Sequence, residues 1–211
     1  LKRSALTQAA HARQAAALGE LDARTLANAV DALKKSIAFA KGLAEGPEAL
    51  LDHLLLAEML VLQRRYNDAL ALYDAHLPSA DGEGFLHEVT VAMADSAHCC
   101  IELGRVGDGY AQLLSALRRV DESTPSDIRA IVHSNMATAL KKLGHGAEGK
   151  QHQTLASMAW ETYAHEQREA RRDHEIAGLV LARLRERAPA ELERALEHAA
   201  RARSQRVDLA R

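Results

Sequence analysis

Two short stretches, "ELGR" at 102–105 and "KLGH" at 142–145, stand forty residues apart, and each joins two apolar-rich segments with no room for a long loop. A glycine in such a place supplies the positive φ that closes a helix in a C-cap. The spacing therefore predicts a helix–turn–helix unit built twice. Aligned on Gly104 and Gly144, Ala97 falls on Ala137, Gly109 on Gly149 and Ala116 on Ala156. One step back brings Ala57, Leu60 and Ala69 into register and puts Arg64 in the glycine place. One step forward brings Ala177, with Val180 where Leu140 stood. Each unit reads as helix A, a tight turn and helix B. A small residue in mid-helix A (Ala57, Ala97, Ala137, Ala177) faces another early in helix B (Ala69, Gly109, Gly149), so the two helices can cross closely. An internal period of this length is the signature of stacked hairpins, because one hairpin alone cannot bury its apolar face.

Composition agrees. Aromatic residues are only 3% of the chain, and the apolar remainder is dominated by Ala and Leu, both strong helix formers. Helices are expected over 3–18, 22–44, 48–64, 67–77, 85–103, 106–120, 126–143, 146–162 and 164–187, with a last one from Pro189 to the end. Pro47 suits the first turn of its helix, and Thr124 or Ser126 is placed to cap the helix that follows. Residues beyond the hairpin minimum fall in "PSADGEGF", "DESTPSD" and lengthened A helices. Three parts follow: an N-terminal hairpin (1–46), three repeats (47–163) and a C-terminal hairpin with a projecting last helix (164–211).

The stretch "LLLAEMLVLQRRYNDALALYDAHL" carries Ala57, Leu60, Tyr66, Ala69, Tyr73 and Leu77, and "SAHCCIELGRVGDGYAQLLSAL" carries Ala97, Leu103, Gly104, Gly109, Ala116 and Leu117. This pattern resembles the tetratricopeptide repeat over roughly residues 50–160, with a step longer than the ~34 residues usual for that family. "SNMATALKKLGHGAEGKQHQTLA" is a weaker copy, with Gln153 where a large apolar residue belongs. The resemblance implies an all-α, right-handed solenoid whose A helices line a groove for a protein or peptide. In that frame the groove residues are Leu54, Glu58, Ala94, His98, Ser134, Asn135, Thr138 and Lys141, with Lys142 lower down. Asn135 alone resembles the Lys/Asn/Arg set with which some members clamp a C-terminal carboxylate, so a helix or an extended peptide fits the row better.

Other chemistry finds little footing. With a net charge of −2 and a pI near 6.6, the chain offers no basic field for nucleic acid. No segment has the ~18 consecutive apolar residues of a membrane span, and "LKRSALTQAAHARQ" lacks the apolar run of a secretory signal. Adjacent Cys99 and Cys100 point about 100° apart on a helix, too divergent to bridge each other, which suits a reduced, cytoplasmic protein. His98, Cys99 and Cys100 likewise point three ways, and Gly146 and Gly149 loosen the face that carries His145, Glu148 and His152, so neither set reads as a metal centre. No nucleophile elbow, phosphate loop or dinucleotide fingerprint occurs. Glu58 stands out as an acid with apolar neighbours on both sides, in "LLLAEMLVL"; the remaining acids read as solvated faces. The expectation is a non-catalytic, regulatory scaffold with no cofactor and no metal.

From Glu161 onward every permanent positive charge is Arg, interleaved with Glu and Asp. With this tail and the general composition, the overall layout resembles the helical-repeat input regions of bacterial diguanylate cyclases. That implies the second expectation, a sensory input region of a larger signalling enzyme. Separately, the thin apolar face of the last helix, with only Ala, Val207 and Leu209 in its second half, leads to the expectation of a dimer through residues 195–211. For the repeats themselves, Ala97→Leu and Ala137→Leu should each unfold the array, since overpacking a close crossing costs about 1–3 kcal/mol or more. Thermal melts unchanged in both variants would mean that the forty-residue register is misplaced.

Overall fold

The structure, a computed structural model, describes residues 2–17, 21–40, 47–81 and 84–187. These form eight helices: α1 (Lys2–Ala17), α2 (Ala23–Ala40), α3 (Pro47–Leu62), α4 (Tyr66–Asp81), α5 (Leu86–Glu102), α6 (Val106–Leu117), α7 (Ser126–Lys142) and α8 (Gly146–Arg187). There is no strand among the described residues. The chain divides into two compact units, Leu1–Trp160 and Glu161–Arg211. The first is an all-α solenoid of helical hairpins. Its helices pair as α1 with α2, α3 with α4 and α5 with α6, and each pair packs on the next through α2–α3, α4–α5 and α6–α7. The odd-numbered helices also touch in succession, α1–α3, α3–α5 and α5–α7. They form one continuous row, the A row.

The three turns of the repeat are built alike. After α5, Gly104 (φ +83°) donates its N–H to the Ile101 carbonyl at 3.2 Å, and Arg105 donates to the Cys100 carbonyl at 2.8 Å. This pair of bonds satisfies carbonyls that a helix end leaves free. Gly144 (φ +88°) and His145 repeat it on Lys141 and Leu140. Arg64, in the glycine place of the first unit, takes φ +58° and makes the same bond to Val61, with Arg65 bonding to Leu60. A basic side chain faces an acid just beyond each turn: Arg65–Asp68 and Arg105–Asp108 are ion pairs, and His145 lies 3.7 Å from Glu148. The acid in each pair lies in the first turn of its helix, where it also faces the positive end of the helix dipole.

The crossing of A on B is closest at α5–α6. A Cβ placed on Gly109 would lie 2.7 Å from the Ala97 carbonyl oxygen and 2.7 Å from Ile101 Cγ1. On Gly149 it would lie 3.2 Å from the Ala137 carbonyl oxygen, the same contact slightly relaxed. Ala57, Ala69 and Ala97 are fully buried, and Ala137 nearly so. Buried apolar side chains fall into two clusters. One runs from Ala5 to Cys100 and includes Leu33, Met59 and Tyr73; the other centres on Ile101, Leu113, Val132 and Met136.

Several boundaries differ from the sequence reading. Helix α4 does not stop at Leu77 but continues through Pro78 to Asp81. A proline there forfeits one backbone bond; fully buried Ala80 anchors the extra turn in the core. Neither Thr124 nor Ser126 caps α7, whose N-cap is Pro125 with no side-chain bond. The Thr124 hydroxyl instead bonds to Asp121, which also accepts the Ser123 and Thr124 N–H groups. The expected break near 163 is absent, because α8 runs unbroken from Gly146 to Arg187. The expected last helix and its dimer surface at 195–211 lie outside the described residues.

A graded pair of substitutions tests the crossing. Gly→Ala inside a helix ordinarily stabilises by about 1 kcal/mol. Gly149→Ala should leave stability within about 0.5 kcal/mol, the gain offset by the 3.2 Å contact. Gly109→Ala should destabilise by about 1–3 kcal/mol, since backbone must shift. Equilibrium urea unfolding of both variants reads the difference, and equal effects would contradict the tighter α5–α6 crossing.

Candidate functional site

A cavity of about 240 Å³ opens on the A row between α1, α3 and α5, with α4 behind it. Leu6, Leu51, Leu54, Leu55, Val91 and Ala92 form most of its wall. Its polar groups are Arg13, Glu58, Tyr73, Glu88 and Asp95. Leu6 and Glu88 are exposed at the rim, whereas Tyr73 is 1% exposed and lies at the back.

Arg13 and Glu58 span the mouth. Arg13 Nε donates to Glu58 Oε1 at 2.7 Å, and an Arg13 terminal nitrogen donates to Oε2, a two-bonded clamp of α1 onto α3. The Glu58 side chain is 12% exposed and that of Arg13 44% exposed. Burial opposes the charge on Arg13, but the hydrogen bond and charge of Glu58 outweigh it and hold the guanidinium still more firmly protonated.

Asp95 has no such partner. Burial, followed by the nearby Glu58 charge, pushes its carboxyl up to about 8; Arg13 and the Tyr73 hydroxyl act in the opposite direction without cancelling this. The Tyr73 hydroxyl oxygen is buried with no hydrogen-bond partner of normal length. Burial, then the charges of Asp95 and Glu58, raise the phenol well above its ordinary value, so it stays neutral and able to donate.

Of the groove residues expected from the sequence, Leu54 and Glu58 line this cavity. Ala94 is fully buried in the second apolar cluster. Asn135, half-buried, donates from Nδ2 to the Ala94 carbonyl at 3.0 Å and ties α7 to α5. Thr138 bonds back to the Ser134 carbonyl within α7. Lys141 is exposed. Lys142 reaches across to α5, bonding the Ile101 carbonyl at 3.3 Å and Glu102 at 3.0 Å. His98 is half-buried and meets Tyr66 edge-on at 5.7 Å, with Nδ1 buried and unpartnered. Burial lowers its pKa; Glu102 works against this and Lys142 adds to it. The structure thus gathers Leu54 and Glu58 at one cleft and spreads the other six along the row.

The sequence reading missed Arg13, Tyr73 and Asp95, and its view of the remaining acids as solvated is corrected by Asp52, 2% exposed and bonded by the Ser36 hydroxyl, and by half-buried Asp95. A usable signal existed, since Asp95 is the one Asp, Glu, Lys or Arg between Glu88 and Glu102. Cys99 and Cys100 are both buried free thiols. Burial first, then Asp95, pushes Cys99 up to about 12, which leaves it an inert thiol. His152 turns to α7, where its Nδ1 meets Nδ1 of His133 at 2.9 Å. Among the described residues no group of three His, Cys, Asp or Glu is placed to hold a metal, and no helix is long and apolar enough to cross a membrane. No protein-family model matches the chain, and no curated protein matches it either.

Asp95 makes stability depend on pH. Its folded value of about 8 lies above the ordinary 3.8, so between those limits the folded chain binds the extra proton. Stability from this group is complete below the unfolded value and is lost as pH rises toward 8. His98, His133 and His152, whose pKa values burial lowers, titrate in the opposite sense. The difference between the native chain and Asp95→Asn isolates the carboxyl. The variant should gain at least about 1 kcal/mol relative to the native chain between pH 5 and pH 8.5. Urea midpoints at the two pH values measure it, and a constant difference would mean that Asp95 is ionised throughout.

Proposed function

We propose that the chain is a non-catalytic, TPR-like binding module with a regulatory role, which holds a segment of another polypeptide across its A row. The observation that carries this reading is the cleft between α1, α3 and α5, where apolar walls and a few polar groups converge on one spot. The forty-residue hairpin step, the repeated glycine-type turn and the small-residue crossings support the family likeness. The row is anchored from within by Asn135 and Lys142, as a surface that binds without reshaping itself needs to be.

The 42 residues of α8 favour a second reading. A helix several times the common length of about 11–12 residues suits a connector, as in the input region of a bacterial signalling enzyme such as a diguanylate cyclase. The two readings are compatible, since an input region can take a polypeptide as its signal.

Photoreactive side chains separate the A row from the opposite side. One is placed at Val91, in the cleft, and a second at Asp74, exposed on α4 and outside it. Irradiation in the native cell extract should give a discrete polypeptide adduct from position 91 and none from 74. Adducts of equal yield at both positions, or at 74 alone, would refute binding across the A row.

A further inference from the structure

We infer that the A-row cleft receives an alkylammonium group, the end of a lysine side chain on the bound polypeptide, with the Asp95 carboxylate as counter-charge and the Tyr73 hydroxyl beside it. This rests on the polypeptide-binding reading above and specifies its chemistry.

Charge is the first argument. Among the described residues the cleft holds three carboxyls, on Glu58, Glu88 and Asp95, against one guanidinium, and no lysine. Arg13 is committed to Glu58 through two of its nitrogens. Asp95 is thus left without a cation, in a place where a lone carboxylate is costly. The second argument is the phenol at the back of the cleft. Tyr73 is 1% exposed, lines the cleft, and turns toward Asp95 a hydroxyl that has no hydrogen-bond partner of normal length. An ammonium brings three donors and no acceptor. It can serve Asp95 and the phenol oxygen together while the phenol proton remains available to the carboxylate. An anion would meet the wrong charge, and an alcohol would leave Asp95 uncompensated.

Shape agrees with this chemistry. Leu51, Leu54, Leu55, Val91 and Ala92 offer apolar surface for a methylene stem whose charged end goes deeper. At about 240 Å³ the cavity is smaller than the roughly 300–1,000 Å³ of sites for drug-sized ligands. It suits a single long side chain. The groups that act on Asp95 are Arg13 from α1, Glu58 from α3 and Tyr73 from α4; Cys99 of its own helix feels its charge, and Glu88 shares the cleft. Below pH 8 an arriving ammonium displaces the Asp95 proton to solvent.

The full chain, labelled with nitrogen-15, is titrated at pH 8.5, where an alkylamine of ordinary pKa near 10.4 is still charged. The probes are n-butylammonium, n-butanol, and two Ser/Ala peptides that carry one central lysine or one acetyl-lysine. n-Butylammonium should bind at least about tenfold more tightly than n-butanol, with shifts centred on Glu58, Tyr73 and Asp95. The lysine peptide should exceed its acetylated form by a similar factor. Asp95→Asn should lower the affinity for n-butylammonium about tenfold, and Tyr73→Phe about threefold; both replacements keep side-chain shape, and melting curves establish that they fold. Equal binding of the amine and the alcohol, or no effect of Asp95→Asn, overturns the ammonium site. Peptide binding that ignores acetylation overturns it too, while leaving the polypeptide reading intact. Amine binding with no response to either peptide overturns the polypeptide reading and makes the cleft a site for a free amine.

Discussion

The solenoid depends on how near a B helix can come to the A helix before it. At α5–α6 the limit is a backbone carbonyl, that of Ala97, pressed against a residue with no side chain, Gly109. Dispersion between closely packed atoms and removal of apolar surface from water both grow as helices approach. Any Cβ at 109 would hold the helices apart and open the seam that Ile101 and Leu113 fill. In the first repeat Ala69 occupies the same register and is itself fully buried, so that crossing is set for one more carbon atom. The hairpins are variations in spacing on a single contact.

With that crossing fixed, the A row inherits a definite register, and one position on it does three kinds of work. Leu55, Asp95 and Asn135 are forty residues apart in sequence. In α3 the position supplies apolar wall, in α5 a half-buried acid, and in α7 an amide that binds α7 to the Ala94 carbonyl. The same backbone geometry thus makes cleft in one place and adhesive in another, through the side chain alone. Glu58 and Arg13 show the complementary device, a charged clamp that uses the N-terminal hairpin to close one side of the cleft.

The hairpins were legible because their signals are local and repeated. Glycine at 104 and 144 marks positive φ, and register alone picked out Arg64 as the residue forced into the same conformation. The cleft was less legible because its groups come from separate helices. Arg13 lies in a helix outside the repeat pattern, and Tyr73 sits where the repeat calls for a large core residue; only in three dimensions does its hydroxyl lack a partner. A break was expected near 163. No Gly or Pro lies between Lys150 and Ala177 to enforce it, and helix propensity carried α8 through. Conversely, a proline at 78 suggested a stop that the burial of Ala80 overrode.

Helix α5 belongs to both apolar clusters. Val89, Cys99 and Cys100 face one, and Ala94, Ala97 and Ile101 the other. Stacked repeats transmit strain only between neighbours, so a wall shared in this way acts as a keystone. Under a mechanical load applied along the stack, the hairpins on either side can part from α5 one cluster at a time. A tug on α7 is resisted by the Asn135 and Lys142 ties together with the packing of Val132, Met136 and Leu140. Because α5 is at once the partner of α7 and a wall of the cleft, tension from that end reaches the cleft only through α5 itself.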